Sequence, residues 1–143
     1  MSTIKYRDMS DRHYKYVLFE TYQIQTSICP EHDLDYFYVQ LSSRGVLTIQ
    51  EDYAWDGPSG PAIDTKNFMR GSLVHDALYQ LMRLGALDAA VYRKQADDLL
   101  RTICLEDGMS RLRAWWVYVG VRAGAAGAAK RINEPEIDVV TAP

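Results

Sequence analysis

A chain of 143 residues, 48% apolar and 24% charged, has ordinary globular composition and the size of one hydrophobic core. Its net charge of −3 gives no case for wrapping nucleic acid, although the last third gathers Arg and Lys. No window offers about 18 uninterrupted apolar residues, and the polar start MSTIKYRDMSDRHYKYVLF lacks a signal core, so one cytoplasmic domain over residues 1–143 is expected, with no transmembrane segment.

In chain order, the β-branched and aromatic runs Tyr16 to Tyr22, Tyr36 to Leu41 and Val46 to Ile49 are separated by the breakers SICPEHDLD and SSRG. They predict a small N-terminal antiparallel sheet over residues 1–50. Ser43-Arg44-Gly45 is a short connection with a glycine able to take a positive φ, so its flanking strands should form a hairpin. A Gly/Pro loop over 51–63 follows, and the period then changes from 2 to 3.6 across a helical part at 64–130.

Three helices are expected there. Asp64 can cap the first through about Arg83, before Leu84-Gly85; Asp88 can cap the second through about Glu106, before Asp107-Gly108; Ser110 can cap the third through about Ala129. Strands followed by helices make an α+β fold. In the third helix Gly120 and Gly124 sit four apart, a spacing that predicts close helix packing rather than a membrane role, since Arg111, Arg113 and Arg122 interrupt the apolar stretch. The tail at 131–143 has no strong period and is read as disordered or ordered by a partner. Cys29 and Cys104 lie too far apart for a disulfide framework or zinc-finger spacing and are read as free thiols.

The stretch YAWDGPSGPAIDTKNFMRGSLVHDALYQLMR places a loop, then His75-Asp76-Ala77-Leu78-Tyr79 inside an apolar helix. Val74, Leu78 and Leu81 form one stripe and Phe68, Ser72, His75, Tyr79 and Met82 an adjoining one, so the ionisable pair falls at the edge of the buried face, with Asp76 near Tyr79 and Arg83. On the second helix Tyr92, Ala96, Leu99, Leu100 and Ile103 are the buried stripe, which puts Asp97 at its margin and Asp98 toward water. The short LGALD connection makes the two helices antiparallel neighbours and brings His75 within reach of Asp97. A carboxylate beside an imidazole fixes its tautomer and stabilises its protonated form, as a general base requires. Purely structural pairings compete with this: His75 on a backbone carbonyl, Asp76 on Arg83, Asp97 on Arg93 or Arg101. In the loop, Gly57 and Gly60 can turn carbonyls toward one point, which with Asp76 would form an incomplete oxygen set for Ca²⁺; Asp56 turning inward to Arg70 is the alternative.

The loop, the HDALY helix and the antiparallel helix carrying Asp97 resemble the secreted phospholipase A2 architecture over roughly residues 53 to 105. That resemblance implies His75 as general base for a water attacking a lipid ester, Asp76 and the loop carbonyls of Gly57 and Gly60 as Ca²⁺ ligands, Asp97 as the carboxylate orienting His75, and Tyr79 as a supporting hydroxyl. Gly71, Ser72 and Leu78 stand where secreted members carry cysteines. The DGPSG loop resembles the short loop of viral capsid phospholipases, which lack those bridges. WDGPSG, HDALY and QADDLL also resemble the phage and bacterial family named domain of unknown function 1353, from about Tyr36 to Arg122. This second resemblance implies a bacteriophage product and no activity.

Two functions follow from these readings. One is a metal-assisted ester hydrolase, acting on a lipid or other ester through His75, Asp76 and Asp97. The other is a virion or assembly component in which the same residues form a structural polar network, with phage structural proteins or a second copy as partners. The host cytoplasm or the virion is the implied location. An HD-type phosphohydrolase would need further His ligands, and His13 and His32 precede the helices in strand or loop context.

Overall fold

The computed structural model describes residues 3–8, 16–55 and 66–124. Seven strands precede three helices: β1 Tyr6–Asp8, β2 Tyr16–Leu18, β3 Tyr22–Gln25, β4 Leu34–Asp35, β5 Val39–Leu41, β6 Val46–Ile49, β7 Ala54–Trp55, α1 Lys66–Arg83, α2 Ala89–Glu106 and α3 Arg111–Gly124. The fold is α+β. The expected loop residues Asp56, Gly57 and Gly60, the cap Asp64, His13, the stretch of the third helix beyond Gly124 and the 131–143 tail lie outside the described residues.

The single sheet expected from the strand runs is replaced by two antiparallel sheets, ordered β1-β2-β7 and β3-β6-β5-β4. The run from Tyr16 to Tyr22 divides because its two ends pair with different strands: Tyr16 faces Trp55, whereas Tyr22 faces Ile49. Between them the backbone of Leu18 exchanges bonds with Tyr53 and Asp52, and Asp52 takes a φ of 75° that turns the chain from β6 toward β7. The β5–β6 hairpin is as expected: Gly45 has a φ of 88°, and its amide closes the turn on the Ser42 carbonyl at 2.9 Å.

Alternation along β5 and β6 sends Val39, Leu41, Leu47 and Ile49 into the main core, where they meet Leu73, Val74, Ala77, Leu78 and Leu81 of α1. Tyr6, Tyr16 and Trp55 make an edge-and-tilted aromatic cluster, and Trp55 Nε1 donates to Ser72 Oγ at 3.1 Å, tying β7 to α1. Helix α1 is thus buried on nearly every side. It lies against both sheets and α2, so His75 is not at the edge of a buried face, as the stripe pattern predicts, but inside, 8% exposed. Glycine at 71 allows the approach of α2, since a Cβ there would sit 2.9 Å from Leu100 Cδ1 and 3.0 Å from Cys104 Sγ.

Asp88 caps α2 by accepting from the Ala90 amide, and Gly85 and Gly108 leave α1 and α2 in left-handed conformations, all at the positions the sequence marks. Arg70, 4% exposed, fastens α1 to the end of α2: its guanidinium donates to Asp107 Oδ2 at 3.0 Å, to Glu106 Oε1 at 2.7 Å and to the Tyr22 hydroxyl at 2.9 Å. A smaller core of Phe68, Leu100, Cys104, Met109 and Ala114 joins α3 to this pair. Both cysteines are free, Cys29 exposed and Cys104 buried, where burial pushes its thiol up to about 12. Among the described residues the close packing expected of Gly120 and Gly124 is absent: a Cβ at either would meet nothing within 4 Å. Among the described residues no helix is long and apolar enough to cross a membrane.

Candidate functional site

The α1–α2 hairpin has an Asp in each position that the His-Asp reading requires. Asp97 is fully buried. His75 Nε2 lies 2.7 Å from Asp97 Oδ1, and the Tyr79 hydroxyl, one turn along α1 from His75, donates to the same oxygen at 2.6 Å. The rings of His75 and Tyr79 overlap with centroids 4.1 Å apart, so each fixes the other's orientation. The predicted meeting of His75, Tyr79 and Asp97 is present.

The second carboxylate oxygen shows what the sequence reading missed. Arg122, from α3, donates to Asp97 Oδ2 at 2.8 Å, and Arg93, one turn before Asp97, stands 3.7 Å away. In the sequence Arg93 stands only as a competing partner of Asp97, and Arg122 only as an interruption of an apolar run. A cation next to Val121 on the side of α3 that also carries Val117 is the available signal.

These contacts decide the protonation pattern. Burial pushes the Asp97 carboxyl up, but bonds from His75, Tyr79 and Arg122 outweigh it and hold the group below its ordinary 3.8. Burial and the bond to Asp97 together push the Tyr79 hydroxyl far above its ordinary 10.0, so it stays a donor. An ionised carboxylate can only accept, so the proton in the His75–Asp97 bond belongs to Nε2. In the neutral imidazole the lone pair then sits on Nδ1. Among the described residues Nδ1 has no hydrogen-bond partner, and no fully buried side-chain nitrogen or oxygen lacks one, so Nδ1 keeps contact with its surroundings outside the network.

Asp76, next to His75 on α1, is half-buried. Asp98 turns outward, as expected, and pairs with Lys94 at 2.9 Å. Arg70 takes Asp107 and Glu106 as partners. Among the described residues no three His, Cys, Asp or Glu side chains gather where they could hold a metal ion. The carbonyls of Gly57 and Gly60 lie outside that set, and Asp76 alone is one carboxylate against the six to eight oxygens that Ca²⁺ takes.

A family profile described as protein of unknown function (DUF1353) matches residues 33–121, from the loop before β4 to the inner face of α3. The chain belongs to this family. The match spans every residue of the Asp97 cluster except Arg122, one position beyond its end. No curated protein and no solved structure matches the chain. The DUF1353 description carries no activity, so the reading of the cluster rests on its geometry.

Proposed function

We propose that this DUF1353 member is a small phage-type ester hydrolase, similar to phospholipase A2 in its use of a His general base. The observation that carries the reading is the pairing of His75 Nε2 with a buried, ionised Asp97, which leaves the basic Nδ1 outside the bond. In the step that follows, Nδ1 accepts a proton from a water as its oxygen bonds to the ester carbonyl carbon. The ester C–O bond then breaks, and the proton passes from Nδ1 to the departing alkoxide. Asp97 stabilises the transient imidazolium, while Tyr79 and Arg122 hold Asp97 in place. The substrate class is a lipid or other ester. Ca²⁺ held by Asp76 with the carbonyls of Gly57 and Gly60 is the further element that the phospholipase resemblance implies; the described residues do not make that set, and the step above is not routed through it.

The test is release of fatty acid from phospholipid and of alcohol from a soluble ester panel, with millimolar Ca²⁺ or chelator, by the full chain and by His75→Gln. General-base action predicts a loss of about 10²- to 10⁴-fold on substitution. A wild-type chain inactive on every ester, or activity that survives His75→Gln, overturns the reading.

A second reading has its own support. Both oxygens of Asp97, on α2, are occupied by partners from α1 and α3, a fully satisfied network of the kind that fixes helix geometry. On that reading the chain is a virion or assembly component, and His75→Gln lowers the thermal midpoint of a chain that has no ester activity to lose.

A further inference from the structure

Helix α3 turns one side away from the protein. Leu112, Trp115, Trp116 and Val119 are 69%, 47%, 63% and 36% exposed, and their spacing of three and four residues lines them along one face. The opposite side holds Ala114, Val117 and Val121 in the smaller core and sends Arg122 to Asp97. The helix is therefore anchored from within and apolar on the outside.

Its charge is one-sided. From Arg111 to Gly124 it has three basic residues and no Asp or Glu, within a chain of net charge −3; Arg113 and Arg122 turn inward, to Asn67 and Asp97. Arg111, exposed, stands at the start of the apolar face, and Arg101 lies over the Tyr118 ring at its side. Two adjacent indoles with a Leu and a Val, flanked by the Arg111 and Arg101 guanidinium groups, match the chemistry of a lipid headgroup boundary: the rings suit the interface, and guanidinium groups reach the phosphates from an apolar stem. Fourteen helical residues span about 21 Å, short of the roughly 30 Å hydrocarbon core, so such a helix lies along a bilayer and does not cross it.

We propose that the outer face of α3 is a docking site for an anionic lipid surface, with Leu112, Trp115, Trp116 and Val119 entering the acyl boundary and Arg111 at the phosphates. The proposal is independent of the role given to His75, and its test contains no activity readout.

The full chain is mixed with vesicles of phosphatidylglycerol and phosphatidylethanolamine, or of phosphatidylcholine alone, and followed by co-sedimentation and tryptophan emission. Two of the three tryptophans are on α3 and exposed, while Trp55 is buried, so docking reads out directly. Expected are sedimentation and a shift of emission to shorter wavelength with the anionic vesicles, both weakened by salt. The double variant Trp115→Ala, Trp116→Ala should lose at least about tenfold in vesicle affinity. Leu112→Gln, a single change at a highly exposed position, should weaken binding in the same direction if the double variant folds poorly, and Phe37→Ala, exposed elsewhere, should bind as the parent does. Absence of sedimentation with anionic vesicles overturns the proposal. So does undiminished binding by both α3 variants, or a stable dimer that the α3 variants dissociate in a chain that binds no vesicles.

Discussion

At the scale of the residue, Asp97 is the point on which the cluster turns. It is the sole fully buried acid among the described residues, and its cost of burial is met by bonds from an imidazole, a phenol and a guanidinium. Because its folded pKa lies below its ordinary 3.8, the stability it contributes is complete above that value and is lost as pH falls through the folded value. The wild-type melting midpoint should therefore fall steeply below about pH 4. Asp97→Asn should cost about 3 kcal/mol at neutral pH by leaving buried donors without a charged partner. It should also flatten part of that acid limb. An acid limb identical in the two proteins would contradict the assignment of the depressed carboxyl to Asp97.

At the scale of the element, what could be read from the sequence was local chemistry. Asp88 as a cap, Gly85 and Gly108 as helix ends, and Ser43-Arg44-Gly45 as a hairpin turn each depend on residues within a few positions of one another, and all are present. The HDALY-to-Asp97 pairing was legible for the same reason, because a short connection leaves an antiparallel hairpin little choice of register. Arg122 and Arg70 were not, since their partners lie 25 and 36 or more residues away and an apolar stripe does not say which element will cover it. The two-sheet division was hidden by the brevity of β1 and β7, three and two residues long, which form no periodic signal. The Gly45 turn gives the element-scale test. A Cβ there would lie 2.3 Å from the Thr26 carbonyl oxygen, in backbone that cannot yield cheaply, and at a φ of 88°. Gly45→Ala should cost at least about 2 kcal/mol, measured by urea denaturation. A cost near zero would mean that the hairpin tolerates a different turn.

At the scale of the whole molecule, two cations join parts distant in sequence, Arg70 buried and Arg122 partly exposed. Arg70 binds the β3 hydroxyl of Tyr22 and the α2 terminus to the middle of the core, and Arg122 binds α3 to the α1–α2 pair. Removing one partner of a buried ion pair is costlier than any single surface contact, so Arg70→Met should lower stability by about 3 to 5 kcal/mol and speed amide exchange at the end of α2. Equal protection in variant and parent would place the fastening elsewhere. The arrangement also leaves one molecule with two separate features, a His-Asp pair on the inner side of the helices and an exposed apolar face on the outer side of α3.

The claim that joins these scales is that Asp97 holds His75 as the Nε2–H tautomer and leaves Nδ1 as the base. Nitrogen NMR of ¹⁵N-labelled full-length protein, with His75 assigned by comparison with His75→Gln, reads the tautomer directly. The account predicts at neutral pH a proton on Nε2, hydrogen-bonded, and an unprotonated Nδ1, with that preference lost in Asp97→Asn. A proton on Nδ1 with Nε2 bare, or a tautomer unchanged in Asp97→Asn, would contradict it.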